Sequence, residues 1–306
     1  MAIAPEFFLP LFFRATRANR TFLSVDAARE RMAERALHPT SFGAPRGLRR
    51  DILINVTHRH GWPVYRITPA VGASRGTVIY AHGGAWVNEV ALQHWQLAAQ
   101  LAAEAQVAVD LVIYPLVPFG TAADVVATFV QLVLENRREF GATVLAGDSA
   151  GGQIALSAAL QLRNEHAVTL ARTVLISPSV DLTFTNPQIP AVQPSDPWLA
   201  VPGGIEFARH WAGELDIHDP VVSPLFGELS GLGPITLFTG TRDILNPDAR
   251  LLAAKVAAAG VQIDVHEVHG QLHVYPLLPT RTGRDARRQL VDAVRAATDP
   301  DVDAPR

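Results

Sequence analysis

The sequence predicts an α/β protein with a mostly parallel β-sheet covered by helices on both faces. From about residue 50 onward, short apolar runs of strand character alternate with longer segments of helical character. This alternation is typical of strand–helix–strand units, which build parallel sheets. The chain has 306 residues, of which 48% are hydrophobic and 18% are charged, so it can bury a sizeable core.

Eight segments have the composition of strands. The first two flank a Gly-Trp-Pro turn and predict an antiparallel hairpin, and the later ones are continuous apolar runs typical of buried strands. In chain order they are residues 51–58, 63–70, 77–84, 107–116, 142–149, 173–180, 234–243 and 261–268.

The segments between and after these strands predict helices. Thr121, followed three residues later by Asp124, resembles a weak capping box, and Gly260 is a typical helix stop. The predicted helices are residues 92–105, 121–140, 151–162, 247–259 and 284–297.

Two segments interrupt the alternation and divide the chain. Residues 1–50 precede the first strand, and the proline-rich residues 181–217 form an insertion between core parts 51–180 and 218–306. Open α/β sheets bind ligands at the carboxyl ends of their strands, so we expect both segments to lie there. The insertion carries aromatic side chains that it can bury: Trp198, Phe207 and Trp211.

The first 13 residues, MAIAPEFFLPLFF, are apolar but do not predict a membrane anchor. Glu6 and two prolines interrupt the run, and the nearest arginines follow it. A signal peptide has the opposite order, and a transmembrane helix needs ~20 apolar residues. We expect a short helix with Phe7, Phe8, Leu11 and Phe12 available for burial.

Composition excludes several functional classes. The net charge is −3, which does not indicate nucleic acid as a partner. The chain has no cysteine, so it has no disulfide or thiol nucleophile, and we expect a cytoplasmic protein. We expect no cofactor because neither a P-loop nor a G-x-G-x-x-G motif is present. His266 and His269 are spaced like a metal pair, but no third ligand is evident and no metal is expected.

The stretch AGDSAGG, residues 146–152, predicts a nucleophilic serine. Gly147 to Gly151 fits the motif G-x-S-x-G, with a predicted strand before it and a helix after it. Such a turn holds the serine in strained backbone angles, and the glycines two positions away avoid collision. We therefore predict that Ser149 is a nucleophile rather than part of a plain glycine-rich turn.

A serine nucleophile needs a base and an orienting acid, which in this architecture follow late strands in the order acid, then histidine. Asp243 ends a predicted strand, whereas Asp248 lies in the next helix and is expected to be a cap or surface carboxylate. His273 lies in the loop after the last strand and is the predicted base. His269 is the alternate, and His266 belongs to the strand itself.

The stretch HGGAW, residues 82–86, follows a predicted strand and is the expected oxyanion loop. The backbone N–H groups of Gly83, Gly84 and Ala85 are expected to line this oxyanion hole, and Ala150 supplies another donor. His82 is expected to bond its own loop, and Asp148 to support it.

Together, HGGAW, GDSAGG, a later aspartate and a final histidine resemble the hormone-sensitive-lipase-like carboxylesterases of the α/β-hydrolase fold. The resemblance runs from about residue 50 to the end of the chain. It implies the catalytic roles already predicted for Ser149, Asp243 and His273, and oxyanion donors at Gly84, Ala85 and Ala150. It also implies a helical cap built from the N-terminal segment and the insertion.

The expected activity is that of a serine carboxylesterase acting on short- to medium-chain esters, with a small apolar ester as substrate. The motif HGG-x-W also resembles kynurenine formamidases, so an amidase or formamidase with the same triad is an alternative. A non-catalytic receptor on the same fold is a further alternative, although the receptors of this family lack the histidine. A homodimer is left open. Family members often have a third glycine where this chain has Ala85.

Overall fold

An eight-stranded sheet forms the centre of the molecule in a computed structural model, which describes residues 4–299. The strand order is β1-β2-β4-β3-β5-β6-β7-β8. β1 and β2 form the predicted hairpin, β2 pairs antiparallel with β4, and all other pairs are parallel. The predicted α/β-hydrolase sheet is therefore confirmed. The strands are β1 Ile52–Arg59, β2 Trp62–Pro69, β3 Thr77–Ala81, β4 Ala108–Val112, β5 Thr143–Asp148, β6 Arg172–Ile176, β7 Ile235–Gly240 and β8 Ile263–Val268.

Several strands end earlier than their apolar runs predict. β3 stops at Ala81 instead of residue 84, and β6 stops at Ile176 instead of residue 180. The residues that follow leave the sheet for loops, and some take left-handed backbone angles that no strand accommodates, among them Ser177 with φ 44°. The residues that were predicted as the last part of each strand therefore form loops at the carboxyl edge of the sheet.

Helices cover both faces of the sheet. One face packs against α3 and α9, and the other against α4, α5 and α8, so the central strands β3, β4 and β5 are wholly buried. The helices of the described residues are α1 Phe8–Ala15, α2 Val25–Leu37, α3 Leu92–Ala105, α4 Ala122–Phe140, α5 Ala150–His166, α6 Ile189–Val192, α7 Val201–Ala212, α8 Asn246–Ala258 and α9 Arg281–Ala297. Within residues 4–299, no helix is both long and apolar enough to cross a bilayer.

The ends of α4 and α8 test the two predicted helix signals. Thr121 is the N-cap residue of α4, but the predicted capping box does not form, because its hydroxyl donates to Asp124 Oδ2 at 3.1 Å instead of accepting from the backbone. Gly260 follows α8 with φ 74°, the left-handed angle expected of a helix stop.

The N-terminal segment and the insertion pack against each other. The rings of Phe22, just before α2, and Phe207, on α7, meet edge to face with centroids 5.4 Å apart. Arg29 on α2 pairs with the buried carboxylate of Glu206 on α7 at 2.7 Å. These contacts tie two segments that are distant in sequence into one layer.

The predicted burial of the N-terminal phenylalanines is wrong. The expected helix forms as α1, but the four predicted residues stay exposed, and Leu9 is the residue that α1 buries. Phe13 packs on Trp198, with ring centroids 4.7 Å apart. The helix therefore turns its Leu9–Phe13 side inward, since Trp198 offers a partner there. The exposed fractions are 71% for Phe7, 48% for Phe8, 62% for Leu11 and 46% for Phe12. Residues 1–3 of this stretch lie outside the described residues.

Candidate active site

Ser149 lies on a tight turn between β5 and α5. Its backbone has φ 52° and ψ −117°, a strained conformation that costs about 1–3 kcal/mol for a residue with a side chain. A Cβ on Gly147 would lie 2.2 Å from the Gly151 carbonyl oxygen, and one on Gly151 would lie 2.0 Å from the Ala81 carbonyl oxygen. The two glycines are therefore required by close approach of the backbone, as the sequence predicts.

Ser149, His273 and Asp243 form a chain of hydrogen bonds. His273 Nε2 lies 3.0 Å from Ser149 Oγ, and His273 Nδ1 lies 2.8 Å from Asp243 Oδ2. A carboxylate only accepts hydrogen bonds, so Asp243 fixes the tautomer with the proton on Nδ1 and leaves Nε2 to accept from the serine hydroxyl. The three predicted residues thus come together from loops that follow β5, β7 and β8.

Backbone contacts hold the loops of the histidine and the aspartate. The N–H of Val274, next to the histidine, donates to Ser177 Oγ at 3.0 Å. The second oxygen of Asp243 accepts from the N–H of Leu245 at 2.9 Å. Both the imidazole and the carboxylate are buried, so neither side chain is free to turn into solvent.

The surroundings of His273 raise its pKa. Burial alone lowers the pKa of the imidazole, but the charge and the hydrogen bond of Asp243 outweigh it, with smaller contributions from Asp196 and Asp148. The imidazolium is thus stabilised, as a base that takes up the serine proton requires.

Of the four predicted oxyanion donors, Gly83 is the one whose N–H is already used inside the protein. Its N–H donates to Asp148 Oδ1 at 2.9 Å and is therefore not available to a substrate. The same carboxylate accepts from the Tyr80 hydroxyl at 2.8 Å and from His94 Nε2 at 3.2 Å. Burial alone raises the pKa of Asp148, but His94 and these hydrogen bonds hold it below its ordinary value. Asp148 thus supports the loop, as expected, and Gly83 is part of that support.

The other three predicted donors surround the serine. Gly84 and Ala85 line a cavity together with Ser149, and Ala150 lines a second cavity beside it. No protein acceptor is assigned to their N–H groups within residues 4–299. Gly84 has φ 130° and a Cβ there would lie 2.5 Å from the Asn88 carbonyl oxygen, so this position requires glycine.

His82 packs into its own loop, as predicted. Its Nδ1 lies 2.8 Å from the Gly83 carbonyl oxygen, and its own carbonyl oxygen accepts from the Tyr114 hydroxyl at 2.6 Å. Burial, with the nearby His94, lowers the pKa of His82 to about 4. The ring is therefore uncharged at neutral pH and serves the loop.

The remaining late candidates, His266, His269 and Asp248, line neither of the two cavities that Ser149 lines. His269 is exposed in a turn, and His266 stacks on Phe238 with ring centroids 4.6 Å apart. Asp248 was expected at the surface or as a cap, but it is buried, because Asn186 of the insertion covers it and donates to it at 2.7 Å. Burial raises the pKa of Asp248 to about 6.

Sequence reasoning missed Asp196. Its carboxylate is buried and accepts from the N–H groups of Trp198, Leu199 and Ile244 at 2.8, 3.0 and 3.0 Å. Burial, followed by the charge of Asp243, raises the pKa of Asp196 to about 6. The available signal was the stretch Ser-Asp-Pro-Trp, in which an aspartate before a proline is typical of a turn.

The serine opens into a cavity of about 700 Å³. The layer of α1 and the insertion forms one wall with Leu9, Phe12 and Trp198, and the loop after β3 forms the other together with His273. The rings of Trp198 and His273 meet in a T-shaped arrangement, with centroids 5.7 Å apart and an angle of 87° between their planes. A substrate in this cavity would contact the insertion and the hydrogen-bonded serine at once.

Comparison with known proteins agrees with this architecture. The sequence profile of the alpha/beta hydrolase fold family matches residues 78–277. The solved structure of a hormone-sensitive lipase from a metagenome library superposes with a TM-score of 0.81 at 22% identity, over 98% of this chain and all of that one. A solved esterase from Staphylococcus aureus, whose assignment is provisional, gives a TM-score of 0.85 at 24% identity, over 91% and 95% of the two chains.

Sequence relatives match over a similar span. LipR of Mycobacterium tuberculosis is 34% identical over 222 residues, 71% of each chain. An acetyl-hydrolase of Streptomyces hygroscopicus is 30% identical over 229 residues, 72% of this chain and 76% of the relative. The esterase LipU of Mycobacterium tuberculosis is 31% identical over 243 residues, 76% and 81% of the two chains. The chain therefore belongs to the α/β-hydrolase family, and it is similar to esterases and acetyl-hydrolases.

Proposed function

We propose that this chain is a serine carboxylesterase that hydrolyses short- to medium-chain esters through an acyl-enzyme. The observation that carries the proposal is the hydrogen-bonded chain from Ser149 Oγ through His273 to Asp243, with contacts of 3.0 and 2.8 Å. Relatives named esterase and acetyl-hydrolase support an ester as substrate.

The proposed reaction has two halves. Ser149 Oγ bonds to the ester carbonyl carbon while His273 takes the hydroxyl proton, and that proton passes to the alcohol oxygen as the ester C–O bond breaks. Water then gives a proton to the same imidazole and its oxygen bonds to the acyl carbon. As the bond from that carbon to Ser149 Oγ breaks, the imidazolium returns the proton to Oγ, which frees the carboxylic acid and the serine hydroxyl. Asp243 keeps its charge throughout and stabilises the imidazolium.

Backbone N–H groups hold the negative charge that develops on the carbonyl oxygen. Gly84 and Ala85 supply two donors from the loop after β3, and Ala150 supplies one from the first residue of α5. The N-terminus of a helix carries free N–H groups and a partial positive charge. Removing one donor of this kind typically costs ~10²–10³ in rate.

The helical layer over the sheet is the proposed cap. The described residues 4–50 and the insertion 181–217 supply it, and the ion pair of Arg29 with Glu206 joins the two parts. The apolar side chains that this layer places in the cavity favour an apolar substrate. The location and assembly expected from the sequence, a cytoplasmic protein with a homodimer left open, remain proposals that fractionation and light scattering would test.

Replacement of the nucleophile tests the function. We expect Ser149→Ala to lower kcat/KM for p-nitrophenyl acetate by at least about 10⁴-fold and to abolish labelling by a fluorophosphonate. Ser230→Ala, at an exposed serine, is the matched control and should keep both. Hydrolysis by the Ser149 variant at the wild-type rate would refute the mechanism. Faster turnover of N-formylkynurenine than of any ester would indicate the formamidase alternative.

A further inference from the structure

The outer face of α1 is apolar, although it lies at the surface. A surface helix ordinarily turns its apolar side chains to the core and its polar ones to solvent. In α1 the positions i, i+3 and i+4 of the outer face are instead Phe8, Leu11 and Phe12, all of them exposed. The rings of Phe8 and Phe12 stack with centroids 5.9 Å apart, so these side chains form one continuous patch, the α1 patch.

Positive charge accompanies the α1 patch. From residue 4 to residue 25 the chain has three basic side chains, Arg14, Arg17 and Arg20, and one acidic side chain, Glu6. All three arginines are exposed, and none of them forms an ion pair with another of the residues that the structure describes. Their charges are therefore available to a partner outside the protein.

The carboxylate of Glu6 is bound elsewhere in the protein. It accepts from the backbone N–H of Thr282 at 3.0 Å, in the first turn of α9, and from Gln271 Nε2 at 3.1 Å. The N-terminus of a helix attracts negative charge, so α9 holds this carboxylate rather than an arginine of the N-terminal segment. The surface of this segment is therefore both apolar and positively charged.

This combination fits an anionic lipid surface. Interfacial helices bury phenylalanine and leucine at the boundary between headgroups and acyl chains, while arginines bind anionic headgroups. A second copy of the chain fits less well, because a two-fold interface brings the same patch of each copy face to face. The arginines beside the α1 patch would then meet the like charges of the other copy.

We propose that the α1 patch docks reversibly on an anionic lipid surface, with its apolar side chains among the lipids and the three arginines at the headgroups. The eight residues of α1 lie along such a surface and do not span it, since a span takes ~20 residues. Docking itself does not depend on the proposed esterase function.

The cavity of Ser149 opens beside the same patch. Phe12, Thr16, Arg17 and Arg20 line this cavity of about 700 Å³ and are themselves exposed, so they form its rim. Docking therefore turns the opening toward the lipid, and an apolar ester dissolved there reaches Ser149 without crossing water. This consequence rests on the proposed function.

A fluorescent probe at a single position tests docking directly. The chain has no cysteine, so Leu11→Cys provides one labelling site. We expect an environment-sensitive probe there to brighten and shift to the blue with vesicles of phosphatidylcholine and phosphatidylglycerol.

Val71→Cys is the control for the probe. Val71 is 84% exposed, but it follows β2, which runs antiparallel to β4, so it lies at the edge of the sheet opposite to Ser149. The same probe should not respond there. An unchanged probe at Leu11, or an equal response at both positions, overturns the proposal.

Vesicle sedimentation measures the apolar contribution. We expect the double variant Phe8→Ser, Leu11→Ser to lower the partition coefficient on phosphatidylglycerol-containing vesicles at least about tenfold, because less apolar surface is buried in the lipid. Neither residue lines a cavity of Ser149. Val71→Ser is the matched control and should bind like the wild type. A dimer that the double variant dissociates, found by light scattering together with no vesicle binding, would show that a second copy covers the patch and would overturn the proposal.

The charge contribution is measured in the same way. Arg17→Gln and Arg20→Gln should each lower the partition coefficient by about fivefold, as expected of an arginine near an anionic surface. Salt at about 1 M, where the Debye length is ~3 Å, should weaken binding likewise. Arg75→Gln, an exposed arginine of the loop after β2, should change nothing. Equal binding to vesicles of phosphatidylcholine alone contradicts an anionic partner.

Delivery of an ester is tested with p-nitrophenyl hexanoate dissolved in the two kinds of vesicle. We expect faster hydrolysis in the phosphatidylglycerol-containing vesicles, in proportion to the bound enzyme. The double variant Phe8→Ser, Leu11→Ser should lose this difference but hydrolyse dissolved p-nitrophenyl acetate at the wild-type rate. Equal rates in both vesicles overturn the delivery of the ester. Ser149→Ala should dock like the wild type without turnover, so failure of docking and failure of the esterase function are seen separately.

Discussion

The carboxylate of Asp196 accepts a hydrogen bond from the backbone N–H of Ile244 at 3.0 Å, directly after Asp243 of the proposed triad. Asp196 belongs to the insertion, so this bond connects the proposed cap to the loop of the proposed catalytic acid. Its other oxygen accepts from the N–H groups of Trp198 and Leu199. A single buried side chain thereby positions both the aromatic wall of the cavity and the acid loop.

Asp196→Asn tests this connection. The substitution keeps the shape but removes a charge that helps to raise the pKa of His273, so the acid limb of the kcat/KM profile should move to lower pH. One backbone N–H also loses its acceptor, which should lower the free energy of unfolding by about 1–3 kcal/mol. Asp216→Asn, at an exposed aspartate of the surface, is the control and should change neither. A stability loss with an unmoved pH profile would show that Asp196 is structural only.

The pH dependence of the wild-type enzyme follows from the same environment. The reaction needs the neutral imidazole, and the pKa of His273 is raised above its ordinary value of ~6.5. Activity should therefore be low in acid and rise through a midpoint above ~6.5. Measurement of kcat/KM for p-nitrophenyl acetate between pH 5 and 9 checks this. A midpoint below ~6.5, or a flat profile, would contradict the role of His273.

Much of the fold and of the proposed triad could be predicted because their signals are local. The elbow around Ser149 needs only small neighbours at fixed spacing, and the acid and base of such a site follow late strands in a fixed order. The eight strands can likewise be recognised in the sequence as apolar runs of strand length. Their carboxyl ends could not be placed, because residues such as Ser177 leave the sheet only to meet partners far away in sequence.

The remaining features depend on packing between distant segments. Nothing near Gly83 indicates that its N–H faces Asp148, which lies 65 positions later. The inward side of α1 depends on Trp198, and the burial of Asp248 depends on Asn186, both from the insertion. Such contacts are set by how the cap lies on the sheet, which local patterns do not encode.

Comparison of Asp243→Asn with Asp248→Asn distinguishes the proposed catalytic aspartate from a structural one. Asp243→Asn should lower kcat by about 10⁴-fold, because the amide no longer imposes the tautomer with the proton on Nδ1. Asp248→Asn should leave kcat/KM close to wild type, since its carboxylate contacts Asn186 rather than the imidazole. Steady-state kinetics on p-nitrophenyl acetate measure both. Comparable losses in the two variants would argue against Asp243 as the orienting acid.

Ala85 stands where the family often has glycine, and its backbone has φ 53°. A left-handed angle costs a residue with a Cβ roughly 1–2 kcal/mol, which exceeds the roughly 0.5–1 kcal/mol that a glycine loses in chain entropy. Ala85→Gly should therefore raise the free energy of unfolding by up to about 1 kcal/mol in urea denaturation. It should also keep activity, because the N–H remains.

The matched control for Ala85→Gly is Ala254→Gly on the exposed side of α8. At Ala254 the backbone angles are helical, so glycine relieves no backbone strain. The free energy of unfolding should therefore fall by about 1 kcal/mol. The two substitutions remove the same methyl group and differ in backbone angle, so opposite signs would trace the effect at Ala85 to its left-handed conformation. Equal losses at the two sites would mean that the methyl of Ala85 contributes packing that outweighs its strain.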